Sequence, residues 1–380
     1  MTVSIWQANG TQPRRAVDFL VIGAGLAGAS AAYFAAQAGR QVVITETRSP
    51  GLGASSRNAG FMLTGLDAYY HDAIVRYGHD ATRELWALSK RTHAHWRTFI
   101  ARGGVQYAQI GSMLLAESAA EAVDLERAAR AMNDDGIDCS YHDHDPIGRG
   151  YLAAIAQPDD GMVQPYELVQ AVIAASGAEV VSDNEVYRLD MPTTDAVLVH
   201  TRQAIFEARH VMLCTNAYSG SLHPYFADKV IPTRAQCLVT APLTESVIPT
   251  CAYSDYGYMY SRMTFDNRLL IGGGRKDYRP QEADTTDDRV SAGVQGVLDR
   301  YLRERFPEVS APVDRRWAGI MGFSIDGAPL AGTLPDMPRV GFAVGFTGHG
   351  LSFAAGTAER AVDHLLHGAS LGAIDARRLE

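Results

Sequence analysis

Short apolar runs alternate with longer stretches whose apolar residues recur at helical spacing, and this alternation lays out most of the elements. Residues 17–22 (VDFLVI) and 41–45 (QVVIT) are brief β-type apolar runs and read as buried strands. Between them, residues 26–39 are Ala-rich with small side chains at close spacing, which predicts a tightly packed helix stopped by Gly39. The three together make a strand–helix–strand unit of roughly the 30 residues such units need. Helical spacing recurs over 84–102, 119–134, 289–306 and 351–366, and residues 161–175 read as a turn leading into a helix. Strands are expected at 105–116, 178–181, 186–189, 210–214 and 340–344. Residues 236–274 are strand-rich and aromatic, with Tyr253, Tyr256, Tyr258 and Tyr260 close together. Residues 1–15 are polar and turn-prone and read as a loosely held tail.

Nucleotide-fold patterning therefore sits at both ends of the chain and again near its middle. The aromatic strands and charged helices lie between. We expect an α/β protein in which a discontinuous nucleotide-binding domain (16–80, 155–218 and 318–380) carries a second domain inserted in two pieces (81–154 and 219–317).

Composition narrows the class. The chain has 380 residues, too many for one simple core, and its 47% hydrophobic and 20% charged content is that of an ordinary globular protein. A net charge of -9 argues against a nucleic-acid partner held through phosphates. Four cysteines without CxxC spacing (Cys139, Cys214, Cys237, Cys251) argue against a zinc site or disulfide framework and for the reducing cytoplasm. Arg14-Arg15 before the almost uncharged 17–38 run mimics a leader or membrane span, but Gly23, Gly25 and Gly28 interrupt it. A buried strand, turn and helix explain the same residues, so no integral membrane segment is expected. Tyr141-His142-Asp143-His144-Asp145 invites a metal, yet Pro146 and Gly148 mark it as a solvated turn, and no metal is expected. The acidic run 282–288 reads as a surface loop.

Gly23-Ala24-Gly25-Leu26-Ala27-Gly28 is a GxGxxG between the first strand and helix. Its glycines serve a tight turn, backbone approach to a pyrophosphate and close helix–strand packing. The helix N-terminus then offers N–H groups and a positive dipole end to phosphate. Glu46 ends the second strand, where a carboxylate can accept both hydroxyls of an adenosine ribose, with Thr47 and Arg48 beside it. This much leaves NAD and FAD both open. A second Gly/Ser-rich loop follows directly, running from Gly51 through Gly53, Ala54, Ser55, Ser56, Arg57, Asn58, Ala59, Gly60 and Phe61 to Met62. Small residues there can line an extended ribitol diphosphate, which favours FAD.

With these motifs the sequence resembles the D-amino-acid-oxidase superfamily of flavoproteins, which includes glycine, sarcosine and γ-glutamylputrescine oxidases. The resemblance covers nearly the whole chain after the tail. The GASSRNAGFM loop is similar to the family loop over the isoalloxazine, and Glu185-Val186 to the strand whose backbone meets adenine. Thr215 and Asn216 in CTNAY resemble the family loop near the pyrophosphate, and residues 317–329 its WxG…DxxP signature. Gly348-His349-Gly350-Leu351-Ser352 is similar to the C-terminal GHG turn that opens a helix toward the flavin. The resemblance implies a Rossmann-like FAD-binding domain with an inserted, mostly antiparallel-sheet α+β substrate domain.

Departures from the family pattern also matter. Gly319 stands about where relatives attach FAD through cysteine, so non-covalent FAD is expected. Met321 and Ser352 stand where relatives carry an arginine and a lysine that clamp a substrate carboxylate; Arg262 or Arg275 can supply a clamp from elsewhere. Tyr258, Tyr260 and Arg262 alternate onto one strand face, either lining a cavity or packing on a helix. With His349, they are the candidates for chemistry. The expected reaction is hydride transfer from a C–H beside an amine or amino-acid nitrogen to the flavin, with oxygen or another acceptor re-oxidising it. A flavin dehydrogenase of C–OH substrates, an NAD-dependent dehydrogenase and a flavin carrier without turnover are the alternatives.

Overall fold

The computed structural model describes residues 12–380. Strand Arg14–Ile22 lies at the centre of an eight-stranded sheet, parallel to Val42–Thr45 on one side and Ile205–Leu213 on the other. Phe19 and Val21 point into one apolar core, Leu20 and Ile22 into another. Burial on both faces explains the unbroken apolar run of a parallel strand. Glu179–Val181 extends the sheet beyond Val42–Thr45. On the other side, Ile205–Leu213 pairs antiparallel with Val197–Thr201 and, further along, parallel with Met337–Val344. Helices Leu26–Gln37, Pro165–Ser176 and Gly350–His367 cover one face.

A second eight-stranded sheet is antiparallel except where Cys251–Ser254 runs parallel to Ser112–Leu115. Its strands also include Val230–Thr240, Met259–Met263, Leu269–Gly273 and Val313–Ser324, with helix Ala292–Arg305 packed upon it. The protein is thus a Rossmann-like α/β domain joined to an antiparallel-sheet α+β domain. A three-stranded ribbon of Phe61–Met62, Gly161–Val163 and Tyr107–Ala108 lies outside both large sheets.

Several expectations need correction. Residues 1–11 of the expected tail lie outside the described residues, but Arg14 and Arg15 are strand: they pair with Ile205 and Phe206, and Arg15 forms an ion pair with Glu179. The turn expected at 161 is a strand, and 105–116 divides into two strands in different sheets. The acidic run is not simply a surface loop. Glu282 is buried and accepts from Arg234 at 2.6 and 3.0 Å and from Gln236 and Ser291, because a desolvated carboxylate needs this full set of donors. Helix His79–Gly103, grouped by the sequence with the inserted domain, packs against Gly350–His367 and Pro165–Ser176. Trp96, fully buried within it, donates its indole N–H to the Leu351 carbonyl at 2.6 Å, and its Thr92 hydroxyl accepts from the Gly356 N–H at 3.0 Å.

Candidate active site

A cavity of about 750 Å³ runs between the two domains. One end is built almost wholly from backbone. The chain leaves the central strand at Gly23, whose φ of +104° favours glycine, and a Cβ there would sit 2.8 Å from the Cys214 carbonyl oxygen. A Cβ on Gly28 would lie 1.8 Å from the Gly23 carbonyl oxygen, so only glycine lets this helix approach its strand so closely. The helix starts at Leu26 with no side-chain cap of its own, and its first-turn Ala27 N–H has no backbone acceptor among the described residues. The Leu26 N–H donates to Ser55 Oγ at 2.9 Å, which ties the second glycine-rich loop to the first. Glu46 accepts from the Ala24 and Arg48 N–H groups at 2.8 and 3.0 Å, holding its carboxylate at the cavity edge.

The second loop is a single turn of helix, Ala54–Arg57, closed by Asn58. Asn58 Oδ1 accepts from the Gly60 N–H at 2.7 Å, while its Nδ2 donates to the Ala54 and Ser55 carbonyls. Further along the cavity, helix Gly350–His367 also begins without a side-chain cap, and the N–H groups of Gly350 and Leu351 have no backbone acceptor among the described residues. These free N–H groups and the positive end of the helix dipole favour negative charge beside them. Two uncapped helix starts, a carboxylate and a small-residue loop along one elongated cavity suit a long dinucleotide. FAD bound there would be held by the glycine turn and Glu46 at one end and by the second loop and the GHG turn at the other.

Of the cofactor positions read from the sequence, all but Ala24, Gly28, Ser56, Gly60 and Met62 border the cavity. The exceptions act from behind: Gly28 and Ala24 as described, Gly60 by its N–H to Asn58, Ser56 by donating to the Gly51 carbonyl, and Met62 from within the helix-side core. Val186, Thr215 and Asn216 border it from the far side. Asn216 Oδ1 accepts from the Gly345 N–H at 3.0 Å, joining the CTNAY loop to the C-terminal turn.

Of the residues picked for chemistry, Tyr258, Tyr260 and His349 border the cavity. Arg262 does not. It is buried behind the second loop, donating to the Ala59 and Met263 carbonyls, so the strand face it was expected to share with Tyr260 does not bring it to the cavity. Tyr260 stacks on Tyr253 with ring centroids 5.4 Å apart. Burial raises the Tyr260 phenol well above its ordinary value and keeps it protonated. His349 Nδ1 lies 3.0 Å from the Thr347 carbonyl oxygen, which fixes the ring within the turn. Ser352 spends its hydroxyl on the Leu63 carbonyl at 2.6 Å, and Met321 lines the wall. Neither brings a positive charge.

Two cavity residues stand out that the motifs did not supply as a pair. Arg275 has its guanidinium over the rings of both Tyr258 and Phe323, 4.9 and 4.8 Å from their centroids. Asp67 faces the cavity just beyond the second loop. The residue is exposed where it borders the cavity, and desolvation by the protein packed around it raises its pKa against the opposing charges of His349, Arg275 and Arg76. Nothing in the local sequence around Asp67 marked it.

The DAO family, described as FAD dependent oxidoreductase, matches residues 18–364. The chain belongs to that family. Among its relatives is the γ-glutamylputrescine oxidoreductase of Escherichia coli (strain K12), 27% identical over 92% of this chain and 84% of that protein. The glycine oxidase of Bacillus subtilis (strain 168) is 25% identical over 90% of this chain and 91% of its own. Among solved structures, glycine oxidase from Geobacillus kaustophilus superposes with a TM-score of 0.80 at 22% identity, covering 94% of this chain and 96% of the other. As a DAO-family member the protein is an FAD-dependent oxidoreductase, which removes the NAD-dependent alternative. Among the described residues, no helix is long and apolar enough to cross a membrane, and no three His, Cys, Asp or Glu side chains gather to hold a metal ion. Asp145 of the His-rich turn instead accepts from the Ile147 and Gly150 N–H groups.

Proposed function

We propose that this DAO-family member oxidises the C–N bond of an amine or amino acid to an imine, which water then hydrolyses. The observation that carries this reading is the make-up of the cavity that includes the GHG turn: aromatic walls of Phe61, Tyr253, Tyr258, Tyr260 and Phe323, with Asp67 and Arg275 among them. Relatives named for glycine and γ-glutamylputrescine along nearly the whole chain support it. FAD bound in the cleft supplies the two-electron acceptor for the hydride leaving the substrate carbon. The chain's own part is to orient and to shield. Tyr258, Tyr260, Tyr253 and Phe61 wall off water, and His349, held by the Thr347 carbonyl, presents its other ring nitrogen from a fixed position. The free Gly350 and Leu351 N–H groups favour the negative charge that reduction brings. No strong side-chain base is needed when the amine binds neutral.

Non-covalent FAD belongs to the same reading. No cysteine occurs beyond Cys251, and a Cβ at Gly319 would already lie 2.9 Å from Arg57 Cβ. Oxygen or another acceptor would complete the cycle. Four unpaired, buried cysteines fit the reducing cytoplasm. Anaerobic mixing tests the proposal: amines or amino acids should bleach the flavin. Bleaching by α-hydroxy acids or glycerol phosphate alone would reassign the enzyme to C–OH oxidation, and no bleaching by any of them would leave a carrier without turnover.

A further inference from the structure

Among the described residues two arginines are buried, Arg234 and Arg262, and only the first has a counter-charge. Arg234 donates twice to the Glu282 carboxylate. Arg262 is 4% exposed, and among the described residues no carboxylate comes within 4.0 Å of it. Its guanidinium donates to the Ala59 and Met263 carbonyls, lies 3.0 Å from Met162 Sδ and stands 6.0 Å from the centre of the Phe265 ring. The acids that act on it are the thiols of Cys237 and Cys251, which burial pushes up to about 12 and so keeps neutral.

Carbonyls and a thioether occupy N–H groups without cancelling the charge, and an unmatched charge in an apolar interior is costly. The place where this cost is borne is informative. Ala59 borders the cavity, and a Cβ on Gly60 would lie 2.7 Å from Arg262 Nη2 and 2.3 Å from the Val163 carbonyl oxygen. The guanidinium is therefore pressed against the back of the loop whose Ala59 forms cavity wall. Ala59, Phe61, Leu63, Met162 and Leu270 belong to one apolar cluster there, which leaves little water to screen the charge. Further along the same loop, the Leu63 carbonyl accepts from Ser352, which joins it to the start of helix Gly350–His367. A flavin ring held between the second loop and the GHG turn thus has a partial positive charge at that helix start and a full one behind Ala59. Arg275 is cationic too, but it borders the open cavity, where solvent screens it.

We propose that Arg262 sets how readily the flavin is reduced: from behind the Ala59–Gly60 backbone, its unmatched charge stabilises the negative charge that two electrons bring to the ring. It is a positioning residue, since it touches the loop and not the cofactor. The counter-charge that the protein withholds from Arg262 arrives with reduction, so the interaction strengthens only when the ring is reduced. A carboxylate beside it, like the one beside Arg234, would cancel that effect. Pinning the loop, by contrast, needs only N–H donors and no charge. The proposal holds whichever substrate bond is oxidised.

The test is the flavin midpoint potential of the FAD-loaded protein, read against reference dyes during anaerobic reduction with no substrate present. Arg262→Gln keeps an N–H donor and removes the charge, whereas Arg262→Lys keeps the charge. The glutamine variant should lose about tenfold in the reduction equilibrium constant, about 30 mV for a two-electron couple, while the lysine variant stays within about twofold of wild type. Met162→Glu sets a carboxylate beside the intact guanidinium and should reproduce the loss, and the uncharged Met162→Gln should not. Retained flavin content shows that each variant folds. One potential shared by wild type, Arg262→Gln and Met162→Glu overturns the proposal. So does a lysine variant that falls as far as the glutamine one, because the charge then does not matter. Loss of flavin from all four variants would leave Arg262 a pin for the loop and overturn it as well. Since no amine is present, each of these outcomes leaves the C–N oxidase reading to the bleaching experiment alone.

Discussion

The two ends of the cavity are made differently. At the Gly23 end the working groups are backbone: an uncapped helix start, a turn only glycine can make, and a carboxylate held by two N–H groups. All of it comes from one continuous stretch, Gly23 to Arg48, with support from the Cys214 loop. At the other end the working groups are side chains brought from Asp67, Tyr253, Tyr258, Arg275, Phe323 and His349, widely spaced along the chain. A cofactor common to a family can be held by backbone that tolerates side-chain change elsewhere. A substrate peculiar to one member must be read by side chains, which can be exchanged without disturbing that backbone.

If this contrast is right, changes at the first end should be the most damaging. Gly28→Ala forces a methyl group against the Gly23 carbonyl and should cost about 3 kcal/mol or more, yielding colourless or insoluble protein. Yellow protein with normal flavin content would break the comparison. Next in size is the scaffold of the second sheet. Glu282→Ala strands the Arg234 guanidinium and should lower unfolding free energy by about 3–5 kcal/mol in urea titration. Protein that still folds should keep its flavin, since Glu282 lies outside the cavity lining.

A third prediction concerns the seam between the two regions. Asp160, fully buried, accepts from the Thr64 N–H and hydroxyl and from Ser112, joining the loop after the flavin-side ribbon to the second sheet. Burial raises its carboxyl from 3.8 to about 6. The native state therefore binds this proton more tightly than the unfolded chain. Its contribution to stability is full below pH about 4 and is lost as pH rises through about 6, a swing of about 3 kcal/mol. The difference in unfolding free energy between wild type and Asp160→Asn should follow that curve; a flat difference would show that Asp160 titrates normally. The smallest effect belongs to the substrate end. Tyr260→Phe removes a hydroxyl whose one partner among the described residues is Cys237 Sγ at 3.6 Å, so stability should change by less than about 1 kcal/mol, with flavin content unchanged. Any consequence should appear in KM or kcat for the substrate, and loss of flavin would contradict the division.

What was legible in the sequence follows the same divide. Glycine spacing, an acidic residue after the second strand and the small-residue loop encode local backbone geometry, so the cofactor end could be read position by position. Helix Ala119–Asp134 was likewise placed by its spacing alone, with Ser118 capping it through the Glu121 N–H. Arg262 was misjudged because strand alternation says which residues share a face, yet not what lies against that face; there it is the Ala59 carbonyl. Glu282 was misjudged for a related reason: a run of acids reads as solvated until a distant Arg234 closes over one of them.

The amino-acid order alone determined the strand–turn–helix that approaches a pyrophosphate, the second loop and the uncapped C-terminal helix, because each depends on the conformational freedom of residues next to one another. Only the tertiary structure decided that Asp67 and Arg275 face one cavity, and that Arg262 does not face it. Those facts depend on how two sheets and the loops between them close together, and pairwise distance across such a closure leaves no periodic trace in the chain.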